Sequence, residues 1–180
     1  MSNIKLDDKS FTSYISEEKI NEVINRVAAL INADYKDKNP LFLVVLNGAF
    51  MFAADVLRGI TTECQVSFVK LSSYTGTSSS GKVKELVGMN EDLENRHVVV
   101  LEDIVDSGTT IEYILADLVT KKTASIAVAT FLFKPDVYKK DFKIQYIGLE
   151  IPNHFIVGYG LDYNGFGRNL KDIYVVKSND

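Results

Sequence analysis

The residues best suited to chemistry lie between positions 98 and 110. Val98-Val99-Val100-Leu101 is followed by Glu102-Asp103, then Ile104-Val105, then Asp106-Ser107-Gly108-Thr109-Thr110. Four apolar residues in a row read as a strand buried on both faces. The acidic pair and a turn follow, and Thr110 to Thr120 reads as a helix, with Ile111, Ile114, Leu115, Leu118 and Val119 on one face. Gly108 lets the backbone come close to a ligand, and the free N–H groups of a helix start face that ligand. Ser107, Thr109 and Thr110 add hydroxyls, so the segment is a cradle for a phosphate. Glu102 and Asp103 would repel a bare phosphate. Their partner is therefore neutral or cationic: a ribose diol, or Mg²⁺ bridging sugar oxygens to a diphosphate. Asp106 lies between the two features and is a candidate general base.

Other motifs fail. No Gly-x-x-x-x-Gly-Lys-Ser/Thr run occurs, so there is no nucleoside-triphosphate P-loop. Gly158-Tyr159-Gly160 meets Tyr163 where the dinucleotide fingerprint needs a third glycine. Asp106-Ser107-Gly108 also spells the aspartic-protease triplet, but that chemistry needs two aspartates sharing a proton. With one copy, a protease would have to be a homodimer, and its largely β fold conflicts with the helix that follows.

The elements around the segment decide what else can reach it. Ser16 caps a first helix carrying Ile20, Val23, Ile24, Val27, Leu30 and Ile31 at helical spacing. Leu41 to Leu46 is a buried strand, and Asn47-Gly48 turns into a helix with Phe50, Ala53, Ala54 and Leu57 on one face. Strands are expected at Gln65–Leu71, Val83–Val87, His97–Leu101, Ser125–Phe133 and Ile144–Leu149, and more weakly at Phe155–Tyr159 and Asp172–Val176. Between Ser72 and Gly81 every residue except Tyr74 is Ser, Thr or Gly, too little apolar surface to stay ordered alone. Strands alternating with amphipathic helices give an α/β fold with a mainly parallel sheet. Ligands of such sheets bind beyond the carboxyl ends of the strands. That rule selects Asn47-Gly48, Glu102 to Thr110, Lys134 and Glu150 to His154.

The chain has 180 residues and a net charge of −4, which argues for one domain and against electrostatic binding of nucleic acid. Apolar runs reach only six residues, as at Leu41–Leu46, so no membrane helix is expected. Met1 to Ser10 has no apolar core, so no secretory signal is expected. The single cysteine, Cys64, excludes an internal disulfide, and with His97 and His154 it makes too few ligands for a zinc site. These features point to the cytoplasm.

Taken together, Glu102-Asp103 and Asp106 to Thr110 after their apolar strand resemble the phosphoribosyl-diphosphate (PRPP) motif of the type I phosphoribosyltransferases. Phe155-Ile156-Val157-Gly158-Tyr159-Gly160-Leu161-Asp162-Tyr163-Asn164, followed by Arg168-Asn169-Leu170, is similar to the C-terminal signature of the 6-oxopurine branch. The resemblance spans about Leu41 to Val176. It implies the type I fold: a mainly parallel twisted sheet flanked by helices, with a small hood formed by the terminal regions, all in a single domain over 1–180 with a flexible active-site loop near 72–82.

The resemblance also implies roles. Glu102 and Asp103 would hold the ribose hydroxyls, directly or through Mg²⁺. Asp106 would take or stabilise the proton at purine N7, and Ser107, Gly108, Thr109 and Thr110 would bind the 5′-phosphate. Lys134 would donate to the purine O6, Phe155 would stack on the base, and the Ile156 backbone would read its edge. Asp162, beside the purine, would bind a second Mg²⁺ or its water. Asn47, Gly48, Ser73, Tyr74 and Arg168 would face pyrophosphate. Many relatives carry Lys where this chain has Asn47, so that turn would lack a positive charge. The implied reaction is Mg²⁺-dependent transfer of phosphoribosyl from PRPP to N9 of hypoxanthine or guanine, in purine salvage, by a homodimer or homotetramer. A xanthine-preferring enzyme and a PRPP-sensing regulator of the same fold are the alternatives.

Overall fold

Alternation within single strands organises the molecule. In β3 (Leu41–Leu46), Phe42 and Val44 face one helical layer, while Leu41, Leu43 and Val45 face the other. In β6 (His97–Val105), Val99 and Leu101 take the first side, and Val98 and Val100 the second. Successive strand side chains point to opposite faces, so a strand covered on both must be apolar throughout. The computed structural model describes residues 2–73, 83–87 and 91–177.

The chain begins with a hairpin, β1 (Asn3–Leu6) and β2 (Lys9–Ile15), then α1 (Glu17–Asp34), β3, α2 (Phe50–Arg58) and β4 (Gln65–Ser73). After β5 (Val83–Val87) and β6 come α3 (Thr109–Thr120), β7 (Ser125–Phe133), β8 (Tyr146–Glu150), β9 (Ile156–Val157) and β10 (Ile173–Val176). The main sheet has the order β5-β4-β3-β6-β7-β8. Its strands are parallel except for the antiparallel edge strand β5. A second, antiparallel sheet has the order β1-β2-β10-β9 and joins the two ends of the chain. A mainly parallel sheet between helices, with a small sheet joining the chain ends, is the architecture that the resemblance implies.

Helices α1 and α2 cover one face of the main sheet, with Ile20, Val27, Ile31, Phe52 and Val56 packed on Phe42, Leu101 and Phe131. Helix α3 covers the other with Ile111, Ile114 and Leu118. Ser16 caps α1 by accepting from the Lys19 N–H at 3.4 Å, with Glu17 and Glu18 in the first turn. In the hood, Phe11, Val157 and Tyr174 form a third, smaller cluster.

Several sequence expectations shift. The sequence reading assigns no element to residues 3–15, yet Phe11 and Ile15 are buried at even spacing in β2. Leu30 and Val119 are exposed despite their helical periodicity. The buried face of α2 is Phe52, Ala53 and Val56, while Phe50 and Ala54 face outward. Most consequentially, β6 runs on through Glu102 and Asp103 to Val105, so the acidic pair lies within the strand and not in a turn. Register continues there, with Glu102 opposite Thr130 and Ile104 opposite Leu132. The expected loop at 72–82 starts inside β4, and its residues 74–82, Tyr74 among them, lie outside the described residues.

Phe52 is fully buried and its ring lies 5.7 Å from that of Phe131. Phe52→Ala is expected to lower the unfolding free energy by about 3–5 kcal/mol, measured by urea unfolding. A loss below about 1 kcal/mol would mean that the layer between α2 and the sheet collapses freely around the gap.

Candidate active site

The carboxyl ends of β3, β6 and β7 lie along one edge of the sheet. Val44 pairs with Leu101, which brings Val45 and Leu46 alongside Glu102 and Asp103. Val105 pairs with Phe133, and the Lys134 N–H donates to the Val105 carbonyl at 2.9 Å. Lys134 is thereby set beside Asp106.

A cleft of about 470 Å³ opens at this edge. Glu102, Asp103, Thr109, Thr110, Gly48, Asp162 and Arg168 line it, with Val45, Leu46 and Leu71 as apolar walls. Residues from four separate stretches of sequence thus converge. A second, smaller pocket shares Glu102, Thr109 and Thr110 with the cleft and includes Asp106 and Gly108 at the start of α3. Gly108 has φ of 80°, a left-handed conformation that favours glycine, and it immediately precedes the first turn of α3. The helix start that the cradle requires is therefore present. Ser107 Oγ and Thr109 Oγ1 lie 3.2 Å apart, and the Ser107 N–H donates to the Asp106 carboxylate.

The acidic pair is strongly desolvated: Glu102 is 7% and Asp103 9% exposed. Glu102 Oε2 is a buried polar atom without a hydrogen-bond partner among the described residues. Asp103 Oδ1 accepts from the Ile104 N–H at 3.0 Å. Burial pushes the Glu102 carboxyl well above the usual carboxylate range, and the Asp103 charge pushes it further. Burial raises Asp103 too, partly offset by its hydrogen bonds with Glu102 and the Ile104 N–H. The Gly48 backbone presses on the same carboxylate, since a Cβ there would lie 1.7 Å from Asp103 Oδ2. The Leu46–Asn47 peptide ahead of it is cis.

Arg168 and Asp162 form a rigid unit across the cleft. Arg168 Nη2 lies 2.5 Å from Asp162 Oδ1, and Arg168 Nη1 donates to the Gly160 carbonyl at 2.6 Å. Asp162 Oδ2 accepts from the Gly165 N–H at 2.7 Å. Asp162 thus lies on the same side of the cleft as Arg168, its carboxylate already engaged in orienting the guanidinium.

Lys134, Phe155 and Ile156 do not line this cleft. Lys134 Nζ donates to Asn153 Oδ1 at 3.1 Å. Phe155 is 46% exposed and rests on Phe11 and Tyr163, with ring centres 6.3 and 5.7 Å away. It borders a neighbouring groove with Asn153 and His154. Ile156 pairs with Val175 on β10, and the Val176 N–H reaches back to the Phe155 carbonyl at 3.0 Å. In antiparallel geometry that makes Ile156 a non-hydrogen-bonded position, so its own N–H and C=O point to the open edge of β9. Asn47 is an exposed turn residue, and Ser73 ends β4. The sequence reading selects the segment Glu150 to His154 without singling out Asn153, and names Tyr163 in the signature without its place against Phe155. It gives Phe11 no role, although its even spacing with Ile15 is a signal.

Metal fit can be judged from the donors. Among the described residues no three Asp, Glu, His or Cys side chains gather to hold an ion. Two carboxylates, one with an unpartnered buried oxygen, fit an ion that takes most of its ligands from a bound diphosphate and sugar.

A carboxyl with a raised folded pKa binds its proton longer in the folded state. Stability therefore falls as pH rises from the ordinary carboxylate range through the folded value, and the loss persists above it. Glu102→Gln is expected to raise the melting temperature of the ligand-free protein by a few degrees at about pH 8, with the gain shrinking towards about pH 4. An equal gain at both pH values would assign the effect to packing.

Comparison with known proteins bears on the family and the fold. The family model described as "Phosphoribosyl transferase domain" matches residues 12–164. The hypoxanthine-guanine phosphoribosyltransferase of Staphylococcus epidermidis is 39% identical over 165 residues, covering 91% of this chain and 92% of the relative. That of Bacillus subtilis is 40% identical over 164 residues, covering 91% of each chain. A crystal structure of a hypoxanthine-guanine phosphoribosyltransferase from Bacillus anthracis superposes with a TM-score of 0.87 at 36% identity, covering 92% of this chain and 98% of that one. A hypoxanthine phosphoribosyltransferase from Trypanosoma cruzi gives 0.85 at 37%, covering 93% and 95%. A shared domain, a shared fold and relatives matched almost end to end place this chain in the hypoxanthine-guanine phosphoribosyltransferase family.

Proposed function

We propose that this chain transfers the 5-phosphoribosyl group of PRPP to N9 of a 6-oxopurine, hypoxanthine or guanine. The products are IMP or GMP and pyrophosphate, a reaction of purine salvage. The observation that carries this reading is the single cleft in which the buried Glu102-Asp103 pair, the start of α3 and the Arg168 guanidinium converge. A sugar with a phosphate at one end and a diphosphate at the other needs the helix start for its phosphate, the acidic pair for its hydroxyls and the guanidinium for its diphosphate.

In this reading the N–H groups and hydroxyls of residues 107–110 hold the 5′-phosphate. Glu102 and Asp103 accept from the ribose hydroxyls. Arg168 faces the pyrophosphate, with the backbone of Asn47 and Gly48 on its other side, and Ser73 and Tyr74 would touch the same group. Phe155 offers its exposed face to the purine, Ile156 offers its outward N–H and C=O to the base edge, and Lys134 donates to O6. A cationic donor there favours a carbonyl at C6 over an amino group. Glu102 and Asp103 would hold a Mg²⁺ shared with PRPP, and Asp162 would meet a second ion or its water. When bound, Mg²⁺ supplies positive charge against the departing diphosphate.

In the reaction the bond from ribose C1 to the pyrophosphate oxygen breaks and the bond from C1 to purine N9 forms. Negative charge grows on the leaving group, where Arg168 stabilises it from a preorganised position. The purine gives up one proton, which Asp106 accepts at N7. Asp106 is the group available for this because it is exposed at the end of β6, next to Lys134. Glu102 and Asp103, buried earlier in β6, remain with the sugar.

The reading is tested by offering hypoxanthine, guanine, xanthine and adenine in turn, each with PRPP and Mg²⁺, and following nucleotide formation with and without EDTA. Turnover of hypoxanthine or guanine that EDTA abolishes is the expected result. Turnover of xanthine alone would move the specificity, and PRPP binding without turnover would make the chain a sensor. Asp106→Asn is expected to lower kcat by about 10²–10⁴-fold while PRPP binding changes little. An unchanged kcat would remove Asp106 as the base.

A further inference from the structure

One half-buried hydrogen bond lies behind the pyrophosphate side of the cleft. The Tyr159 hydroxyl donates to Asp55 Oδ2 on α2 at 2.7 Å. Tyr159 is buried, and its ring stands edge-on to Phe131 at 5.1 Å. Burial and the Asp55 carboxylate both push the phenol's pKa up, so it remains a donor across the working pH range.

The backbone next to Tyr159 carries the cleft's guanidinium. The Gly160 N–H donates to the Arg168 carbonyl at 2.9 Å, and the Gly160 carbonyl accepts from Arg168 Nη1 at 2.6 Å. The same glycine abuts the opposite wall: a Cβ on Gly160 would lie 2.1 Å from the Gly48 carbonyl oxygen. Gly48 in turn presses on Asp103. Helix α2 grows directly out of the Gly48 turn, with the Phe50 N–H on the Asn47 carbonyl at 3.4 Å. Asp55 is therefore fixed to one wall of the pyrophosphate subsite, and Tyr159 to the other.

We propose that the Tyr159–Asp55 hydrogen bond is a positioning pair: it sets the separation between the Arg168 guanidinium and the Gly48 turn, and so the affinity of the cleft for the diphosphate of the donor. The inference rests on the reading of the cleft as a PRPP site. It separates two kinds of binding within one protein. The base side, supported by Phe11 and Tyr163, shares no hydrogen bond with this pair. Loosening the pair acts on the diphosphate and leaves the purine's contacts in place.

Tyr159→Phe removes the hydroxyl and keeps the ring on Phe131. The expected result is a roughly tenfold rise in KM for PRPP and in Kd for inorganic pyrophosphate with Mg²⁺, the loss typical of one hydrogen bond to a charged group. KM for hypoxanthine stays within about twofold. Asp55→Asn retains an acceptor for the phenol and is expected to restore near wild-type values, whereas Asp55→Ala behaves as Tyr159→Phe does. The double variant Asp55→Ala/Tyr159→Phe should be no weaker than either single one, as for two residues acting through one bond. Unchanged pyrophosphate affinity in Tyr159→Phe overturns the inference, as does an equal rise in KM for both substrates or a lowered melting temperature with unchanged KM. Pyrophosphate binding is read by calorimetry without any purine. A wild-type protein that binds pyrophosphate yet forms no nucleotide therefore overturns the proposed reaction and leaves this inference to its own result.

Discussion

Two carboxylates buried at the end of a central strand set the terms for the rest of this molecule. Glu102 and Asp103 lose most of their hydration, and Glu102 Oε2 receives no hydrogen bond among the described residues in exchange. An unpaired buried charge opposes folding. The surrounding structure has to outweigh that opposition. It does so with strands that are apolar on both faces, held between β3 and β7 and covered by helices on either side. The sheet is thus the means by which a destabilising pair is kept in place at the cleft. The pair is preorganised for groups that only a ligand brings, an arrangement in which binding supplies what folding leaves unsatisfied.

The same constraint explains the close packing around the pair. Gly48 can approach the Asp103 carboxylate only because it has no side chain, and Gly160 approaches Gly48 on the same condition. The walls of the cleft are therefore backbone against backbone, with little freedom to shift. Arg168 adds a guanidinium whose direction is fixed by Asp162 and the Gly160 carbonyl before any diphosphate arrives. Little reorganisation is left for the moment of reaction, which is where electrostatic stabilisation is most effective.

How much of this is legible in the sequence depends on the range of the interactions. The strand, acidic pair and cradle are contiguous, so composition and periodicity expose them, and Ser125–Phe133 appears in the structure with the bounds its apolar run suggests. The continuation of β6 through Glu102 and Asp103 is hidden, because charged residues read as a strand end unless a register partner such as Thr130 is known. Leu30 and Val119 follow helical spacing yet stay exposed, since a helix covers the sheet with a narrower stripe than its periodicity allows. The N-terminal hairpin is the largest omission. Its strands alternate in a short, polar segment and become stable only by pairing with β10, far along the chain. Lys134 and Phe155 were visible by resemblance, but their partners Asn153 and Phe11 were not.

The two sides of the site differ in how they are stitched together. The phosphate cradle and its acids come from nine consecutive residues at the end of one strand. The base side is closed by contacts between opposite ends of the chain: Phe11 beneath Phe155, the Tyr163 hydroxyl on Asp8, and Asn164 on Asp7. The sugar-phosphate part of the donor site is thus a local inheritance of the sheet, drawn from β6 and the start of α3, whereas Arg168 at its diphosphate end comes from near the C-terminus. The acceptor half exists only when the last strand has returned to the first. A lineage can accordingly exchange its acceptor by altering the hood while the machinery for the sugar phosphate stays untouched.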